Sequence, residues 1–141
     1  MKKFSLQIIT PEKLFFDAAA EAVVFESTDG EMEILADHAP MVAHIEIGEL
    51  RIQSGGQWRK AFTAQGFVET LPGLARVFSQ ACEWPEEIDV ARAQQALGRY
   101  EELLSSAGNP EERSHAQQMI ERTNIRLEMA HASADQKEHR E

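Results

Sequence analysis

From Phe4 to Ala81 the apolar positions come in short runs, several of them with a period of two. Phe4, Leu6 and Ile8 alternate with Ser5 and Gln7, and Leu50 and Ile52 alternate with Arg51 and Gln53. That spacing places one side of a strand in a core and the other in water. Val23-Val24-Phe25 is a β-branched and aromatic run, and Val77-Phe78 closes the series. In two further candidates the faces are mixed: Trp58, Lys60 and Phe62 share one, and Phe67, Glu69 and Leu71 share another. Turn chemistry separates the runs. Asp29-Gly30 and Ser54-Gly55-Gly56-Gln57 suit tight hairpins, and Leu71-Pro72-Gly73-Leu74 carries Pro and Gly at the central positions of a type II turn. Many short strands at close spacing, with no alternation of strand and helix, predict an antiparallel sandwich or barrel.

Beyond Pro85 the period changes. Val90, Ala93, Leu97, Tyr100 and Leu104 step by three and four, which is one stripe of a helix. Asp89 stands where an N-cap carboxylate meets the free first-turn amides. Ser105 to Asn109, with Gly108, supplies a stop. Asn109-Pro110-Glu111-Glu112 then reads as a cap, a first-turn proline and two acids at the positive end of a second helix. Its stripe is Ala116, Met119 or Ile120, Thr123, Leu127, Ala130 and Ala134. A connection this short forces an antiparallel hairpin. The polar residues Asp135 to Glu141 are expected to fray. Both stripes are rich in alanine and bury little apolar surface, so the hairpin is expected to be stable only when docked on something. The fold class predicted is therefore an N-terminal antiparallel β-sandwich, residues 1–84, followed by a C-terminal two-helix hairpin, residues 85–141.

Composition sharpens this division. All seven Phe and both Trp precede Pro85. Charge does not divide: each part carries 7 basic and 12 acidic groups, and the chain totals −10. Such acidity argues against nucleic acid and against anionic lipid as a broad electrostatic partner. A single cysteine, Cys82, excludes an internal disulfide and fits a reducing compartment. No apolar run reaches the ~18 residues of a membrane span. The alternating N-terminus does not resemble a secretory leader.

The candidate chemistry is sparse. Arg92 and Arg99 lie two turns apart, and Arg122 and Arg126 lie one turn apart. Antiparallel helices can bring these four guanidinium groups toward one region, where they would suit phosphate or carboxylate. They can equally form a solvated face paired with Glu101, Glu102, Glu121 and Glu128. Asp37-His38-Ala39-Pro40 with His44 is the compact histidine and acid group. It reads as loop structure, with a metal site or a hydrolase centred on Asp37 and His38 as rivals that lack an identified third group. Cys82 has no basic neighbour and reads as an inert buried thiol. There is no glycine-rich phosphate loop or dinucleotide fingerprint.

Three stretches in order resemble the epsilon subunits of F-type ATP synthases. They are Leu6-Gln7-Ile8-Ile9-Thr10-Pro11-Glu12; Thr28-Asp29-Gly30-Glu31 through Ile34-Leu35 to His38-Ala39-Pro40 and Gly48-Glu49-Leu50; and Gly66-Phe67-Val68-Glu69 followed by Ile88-Asp89-Val90-Ala91-Arg92-Ala93. The resemblance covers nearly the whole chain. It implies a ten-stranded sandwich and two helices on the central stalk of a rotary motor, in a subunit with no catalytic residue of its own and no metal. It implies that the sandwich docks on the gamma subunit and the membrane c ring. The helices can extend along gamma toward the alpha and beta subunits and inhibit ATP hydrolysis. Ile88, Asp89, Arg92 and Ala93 match a motif that in many bacterial members helps bind ATP and holds the helices down. Arg99, Arg122 and Arg126 match the arginines that accompany it, and Glu83 matches an acidic contact. No obligatory cofactor is implied; ATP enters as a regulatory ligand. Glu31 and His38 match positions of c-ring contact. Two departures touch that last point: Glu33 stands where members often have Gly, and Ala36-Asp37 where they often have Pro-Gly. The resemblance places the chain peripherally on the cytoplasmic face of a bacterial plasma membrane, attached only through the complex. The alternative that the residues leave open is a free-standing sandwich module whose helices dimerise.

Overall fold

The computed structural model describes residues 2–140, with side chains described for residues 2–136. Their contacts divide the chain into two compact units, one ending at Glu83 and one beginning at Trp84.

Among the described residues the first unit holds ten strands: β1 (Phe4–Ile9), β2 (Leu14–Ala20), β3 (Ala22–Ser27), β4 (Gly30–Leu35), β5 (Met41–Ile45), β6 (Gly48–Ser54), β7 (Gln57–Thr63), β8 (Gly66–Leu71), β9 (Leu74–Ser79) and β10 (Cys82–Glu83). They form two five-stranded sheets, in the orders β2-β1-β9-β8-β5 and β10-β7-β6-β3-β4. The alternating residues Phe4, Leu6 and Ile8 of β1, Leu50 and Ile52 of β6, and Val68 and Val77 of β8 and β9 are buried between them, with Val23 and Phe25 of β3. The pairings are antiparallel except that β1 and β9 run parallel, Ser5 opposite Leu74 and Ile9 opposite Phe78. Turn chemistry does not set this exception: β1 and β9 are far apart in sequence, so no hairpin imposes a direction on them.

Two packing details hold the sheets in place. Glu21 is buried at the β2–β3 corner, and its carboxylate accepts from the amides of Gly55 (3.1 Å) and Gly56 (2.7 Å) in the β6–β7 turn. Both glycines have positive φ, which frees their amides to point at one anion. At the start of β8, a Cβ on Gly66 would overlap the carbonyl oxygen of Phe78. That position therefore admits only glycine at the observed strand spacing.

The second unit begins with a 3₁₀ turn at Pro85–Glu87, followed by α1 (Val90–Ser105) and α2 (Pro110–Arg140). Asp89 caps α1, its Oδ1 accepting from the Arg92 amide at 3.1 Å. A reciprocal box starts α2: Asn109 Oδ1 accepts from the Glu112 amide at 2.8 Å, and Glu112 Oε2 accepts from the Gly108 amide at 2.9 Å. Helix α2 packs on α1 and on the 3₁₀ turn, so it runs back antiparallel along α1. The seam buries Ala93 of α1 and Ala116, Thr123, Leu127 and Ala130 of α2. Ala134, expected in the seam, is exposed. The 31-residue α2 outruns the 16-residue α1, and nothing of α1 remains at that level to cover it. The polar tail expected to fray from Asp135 instead continues α2 to Arg140, because no glycine or proline interrupts it. Glu141 lies outside the described residues.

Candidate functional site

The hairpin brings together most of the residues expected to hold a nucleotide. A helix turns about 100° per residue. Measured from the buried seam of α1, Arg92 and Arg99 lie about 100–120° to one side. Measured from the seam of α2, Arg122 and Arg126 lie about 80–120° away in the same rotational sense. In an antiparallel pair, equal rotation on the two helices leads to the same side. All four arginines therefore share one flank. Glu101, Glu121 and Glu128 rotate the opposite way, and Glu102 points to the back. The four arginines therefore lie on a different side of the hairpin from Glu101, Glu121 and Glu128.

The levels also agree. At about 1.5 Å per residue, Arg92 sits about 20 Å from the connected end of α1, and Arg122 and Arg126 sit about 18 and 24 Å from the connected end of α2. These three flank the capped N-terminus of α1, where the first-turn amides and the helix dipole add positive potential. Arg99 lies about 10 Å along the flank, toward the connection. Arg92 and Arg99 are exposed, whereas Arg122 and Arg126 are half-buried. Burial pushes the Arg122 guanidinium down from the usual arginine range, and the nearby Tyr100 phenol opposes that shift. Its Nη1 contacts Met119 Sδ at 3.7 Å. Ile88 and Ala93 are buried, beside and beneath the cap formed by Asp89. Glu83 belongs to the other unit: it is half-buried on β10, opposite Phe62 of β7.

The two residues expected to face a membrane ring differ in character. Glu31 is exposed on β4, and its Oε1 lies 2.8 Å from Arg51 Nη2. His38 turns its ring inward. Nδ1 lies 2.8 Å from the Leu35 carbonyl oxygen, and Nε2 lies 2.6 and 3.1 Å from those of Leu71 and Leu74. Phe4 meets the ring edge-on at 5.4 Å. His38 thereby ties the β4–β5 loop to the β8–β9 turn. Asp37 points elsewhere, to Lys2 Nζ at 3.3 Å, and the hydrolase or metal rival loses both of its members. Among the described residues no group of three or more His, Cys, Asp or Glu could hold a metal ion. Cys82 is buried, its Sγ donates to Thr63 Oγ1 at 3.5 Å, and burial raises its thiol above the usual value although the contacts with Thr63 and Ser79 oppose that shift.

Sequence reasoning missed one surface. Ile9, Pro11, Phe67 and Phe78 line a groove of about 590 Å³ on the sandwich, with His44 and Gln65 among its polar residues. Phe67 and Phe78 stack at 4.9 Å. The mixed face of Phe67, Glu69 and Leu71 was its signal: an outward aromatic on an otherwise ordinary strand.

Comparison with known proteins gives the same answer for both units. The ATP synthase delta/epsilon chain β-sandwich domain matches residues 3–85, and the long α-helix domain of the same chains matches residues 86–131. The chain is 39% identical over 134 residues to the ATP synthase epsilon chain of Ruminiclostridium cellulolyticum, covering 95% of this chain and 96% of that one. It is 41% identical over 129 residues to that of Caldicellulosiruptor saccharolyticus, covering 92% and 94%. Its fold is similar to a chain in the Euglena gracilis mitochondrial ATP synthase structure of OSCP, F1 and c-ring, with a TM-score of 0.70, 20% identity and coverage of 87% and 78%. It is also similar to one in the Tetrahymena thermophila mitochondrial ATP synthase central stalk and c-ring, with a TM-score of 0.62, 13% identity and coverage of 92% and 97%. The chain belongs to the ATP synthase delta/epsilon family, as an epsilon-type, non-catalytic subunit of that complex.

Proposed function

We propose that the chain is a rotor subunit that couples the catalytic core to the membrane ring and restrains ATP hydrolysis through its helical hairpin, under the control of bound ATP. The observation that carries this reading is the gathering of Arg92, Arg99, Arg122 and Arg126 on one flank, beside the capped end of α1. Arg92, Arg122 and Arg126 hold the phosphates by forked, charge-assisted hydrogen bonds. Ile88, Asp89 and Ala93 shape the floor at the helix start, and Arg99 extends the cationic strip. This flank exists only while α1 and α2 are paired antiparallel. ATP therefore binds the compact form in preference to an extended one, which is the differential affinity a population shift requires.

The sandwich holds the rotor. The groove around Phe67 and Phe78 is the surface assigned to the gamma subunit, since an apolar patch of that kind needs a cover within an assembly. Glu31 offers an exposed carboxylate to the c ring, and His38 keeps the adjoining loop in place for it. When extended, the hairpin meets the alpha and beta subunits. Among the described residues no helix is long and apolar enough to cross a membrane. On this reading of its role, the chain is held at the cytoplasmic face by its complex.

Limited proteolysis of the full chain, with and without millimolar ATP, tests the clamp. Slower cleavage in α1 and α2 with ATP is expected, together with loss of that protection in Arg122→Ala and Arg126→Ala. Equal cleavage rates with and without ATP in the unaltered chain would dispose of it.

A further inference from the structure

The arginine flank carries two half-buried thioethers as well as its cations. Met119 and Met129 lie on the same rotational side of α2 as Arg122 and Arg126. Met119 stands one turn before Arg122, and its Sδ receives Arg122 Nη1 at 3.7 Å. A thioether is a weak acceptor, so this contact by itself competes poorly with a stronger one. A sulfoxide is different. Its oxygen is a strong acceptor, placed within reach of the same N–H by the same side chain.

We propose that Met119 is a redox-sensitive positioning residue, whose oxidation to the sulfoxide draws Arg122 onto the sulfoxide oxygen and away from a bound phosphate. The inference rests on the reading of this flank as the ATP site. The oxidant is a hydroperoxide. The sulfur lone pair attacks one peroxide oxygen, an S–O bond forms, and the O–O bond breaks. With hydrogen peroxide the other oxygen leaves as hydroxide and takes a proton to become water. Sulfur loses two electrons and the peroxide gains them. The change is reversible by methionine sulfoxide reductase. The half-buried state of Met119 gives a small oxidant access that a fully buried methionine lacks.

The experiment treats the full chain and its Met119→Leu variant with hydrogen peroxide and identifies the oxidised residues by mass spectrometry. Leucine conserves volume and cannot be oxidised. Arginine side-chain NMR, without nucleotide, reads the contact directly. The Arg122 Nε–H resonance is expected to shift on oxidation in the parent and to stay in place in Met119→Leu. Calorimetric titration with ATP then reads the consequence. Losing one charge-assisted hydrogen bond corresponds to an affinity about ten-fold weaker or more. That loss is expected in the oxidised parent, reversed by the reductase and absent from oxidised Met119→Leu. An unmoved Arg122 resonance in protein whose Met119 is oxidised would overturn the proposal, as would an equal loss of affinity in oxidised Met119→Leu. Failure of the parent to bind ATP before oxidation would overturn the nucleotide reading and the predicted loss of affinity. A shifted Arg122 resonance would still uphold the contact itself.

Discussion

Replacing Asp89 separates its local duty from its place in the proposed nucleotide site. Its Oδ1 accepts the Arg92 amide at 3.1 Å, one of the first-turn donors that α1 cannot satisfy internally. Asp89→Ala removes that acceptor and costs about 1 kcal/mol. Asp89→Asn retains an oxygen in the same place and costs a few tenths at most. The seam beneath the cap is built around Ala93, a side chain too small to make up the loss. A penalty of about 1 kcal/mol raises the population of opened α1 about five-fold. Amide hydrogen exchange of Val90 to Leu104 measures this. Exchange through local opening should accelerate about five-fold in Asp89→Ala and stay near the parent rate in Asp89→Asn. ATP at about 100 times the variant's own Kd adds about 2.7 kcal/mol to whichever form binds it. That exceeds the loss, so saturating ATP should slow α1 exchange in Asp89→Ala below the rate of the nucleotide-free parent. Equal acceleration in the Asn and Ala variants would refute the cap assignment. Exchange in Asp89→Ala left unchanged by saturating ATP would refute the link between nucleotide and hairpin.

Three further changes probe the sandwich. Glu21→Ala removes a buried acceptor from the amides of Gly55 and Gly56, two charge-assisted bonds whose loss costs about 3 kcal/mol; thermal unfolding of the sandwich should move down by more than about 10 °C. Gly66→Ala drives a methyl into the Phe78 carbonyl and should cost about 3 kcal/mol or more by urea denaturation, whereas Gly48→Ala, where a Cβ has open space, should cost far less. Because burial raises the Cys82 thiol above its usual 9.0, the unfolded chain loses that proton first as pH rises. Its contribution is complete below about pH 9 and is lost as pH climbs through the raised value, so Cys82→Ser should flatten the alkaline limb of the stability profile while leaving neutral stability nearly unchanged.

Much of the hairpin was legible because its signals are local. A stripe with a period of three to four, an Asp before the first turn and an Asn-Pro-Glu-Glu start each act within a few residues, and α1 and α2 begin where those residues stand. Strands with clean alternation, such as β1 and β6, were equally plain. Strand β2 was not: Leu14-Phe15-Phe16-Asp17-Ala18-Ala19-Ala20 has little β-propensity in its second half, and it is a strand because β1 offers it a ladder from Phe4 opposite Ala20 to Ile9 opposite Leu14. Trp58 and Phe62 share a strand face, yet one is half exposed and the other 1% exposed, a difference no periodicity carries.

The candidate site divides in the same way. The identity of each arginine, the acid that caps α1 and the length of the connection were determined by the sequence, and with them an antiparallel hairpin. Whether the arginines meet one another or the glutamates was decided only by the rotation of each helix about its own axis, which the buried seam sets. His38 likewise carried a loop reading from its neighbours, but its ring contacts, Leu71 and Leu74, lie 33 and 36 residues away. Periodicity and capping are short-range and survive in one dimension. Charge segregation, ring clamping and a shared groove are distances between segments that only chain closure brings together, and the energy that selects them comes from burying the seam and the sandwich core rather than from the arginines and His38 themselves.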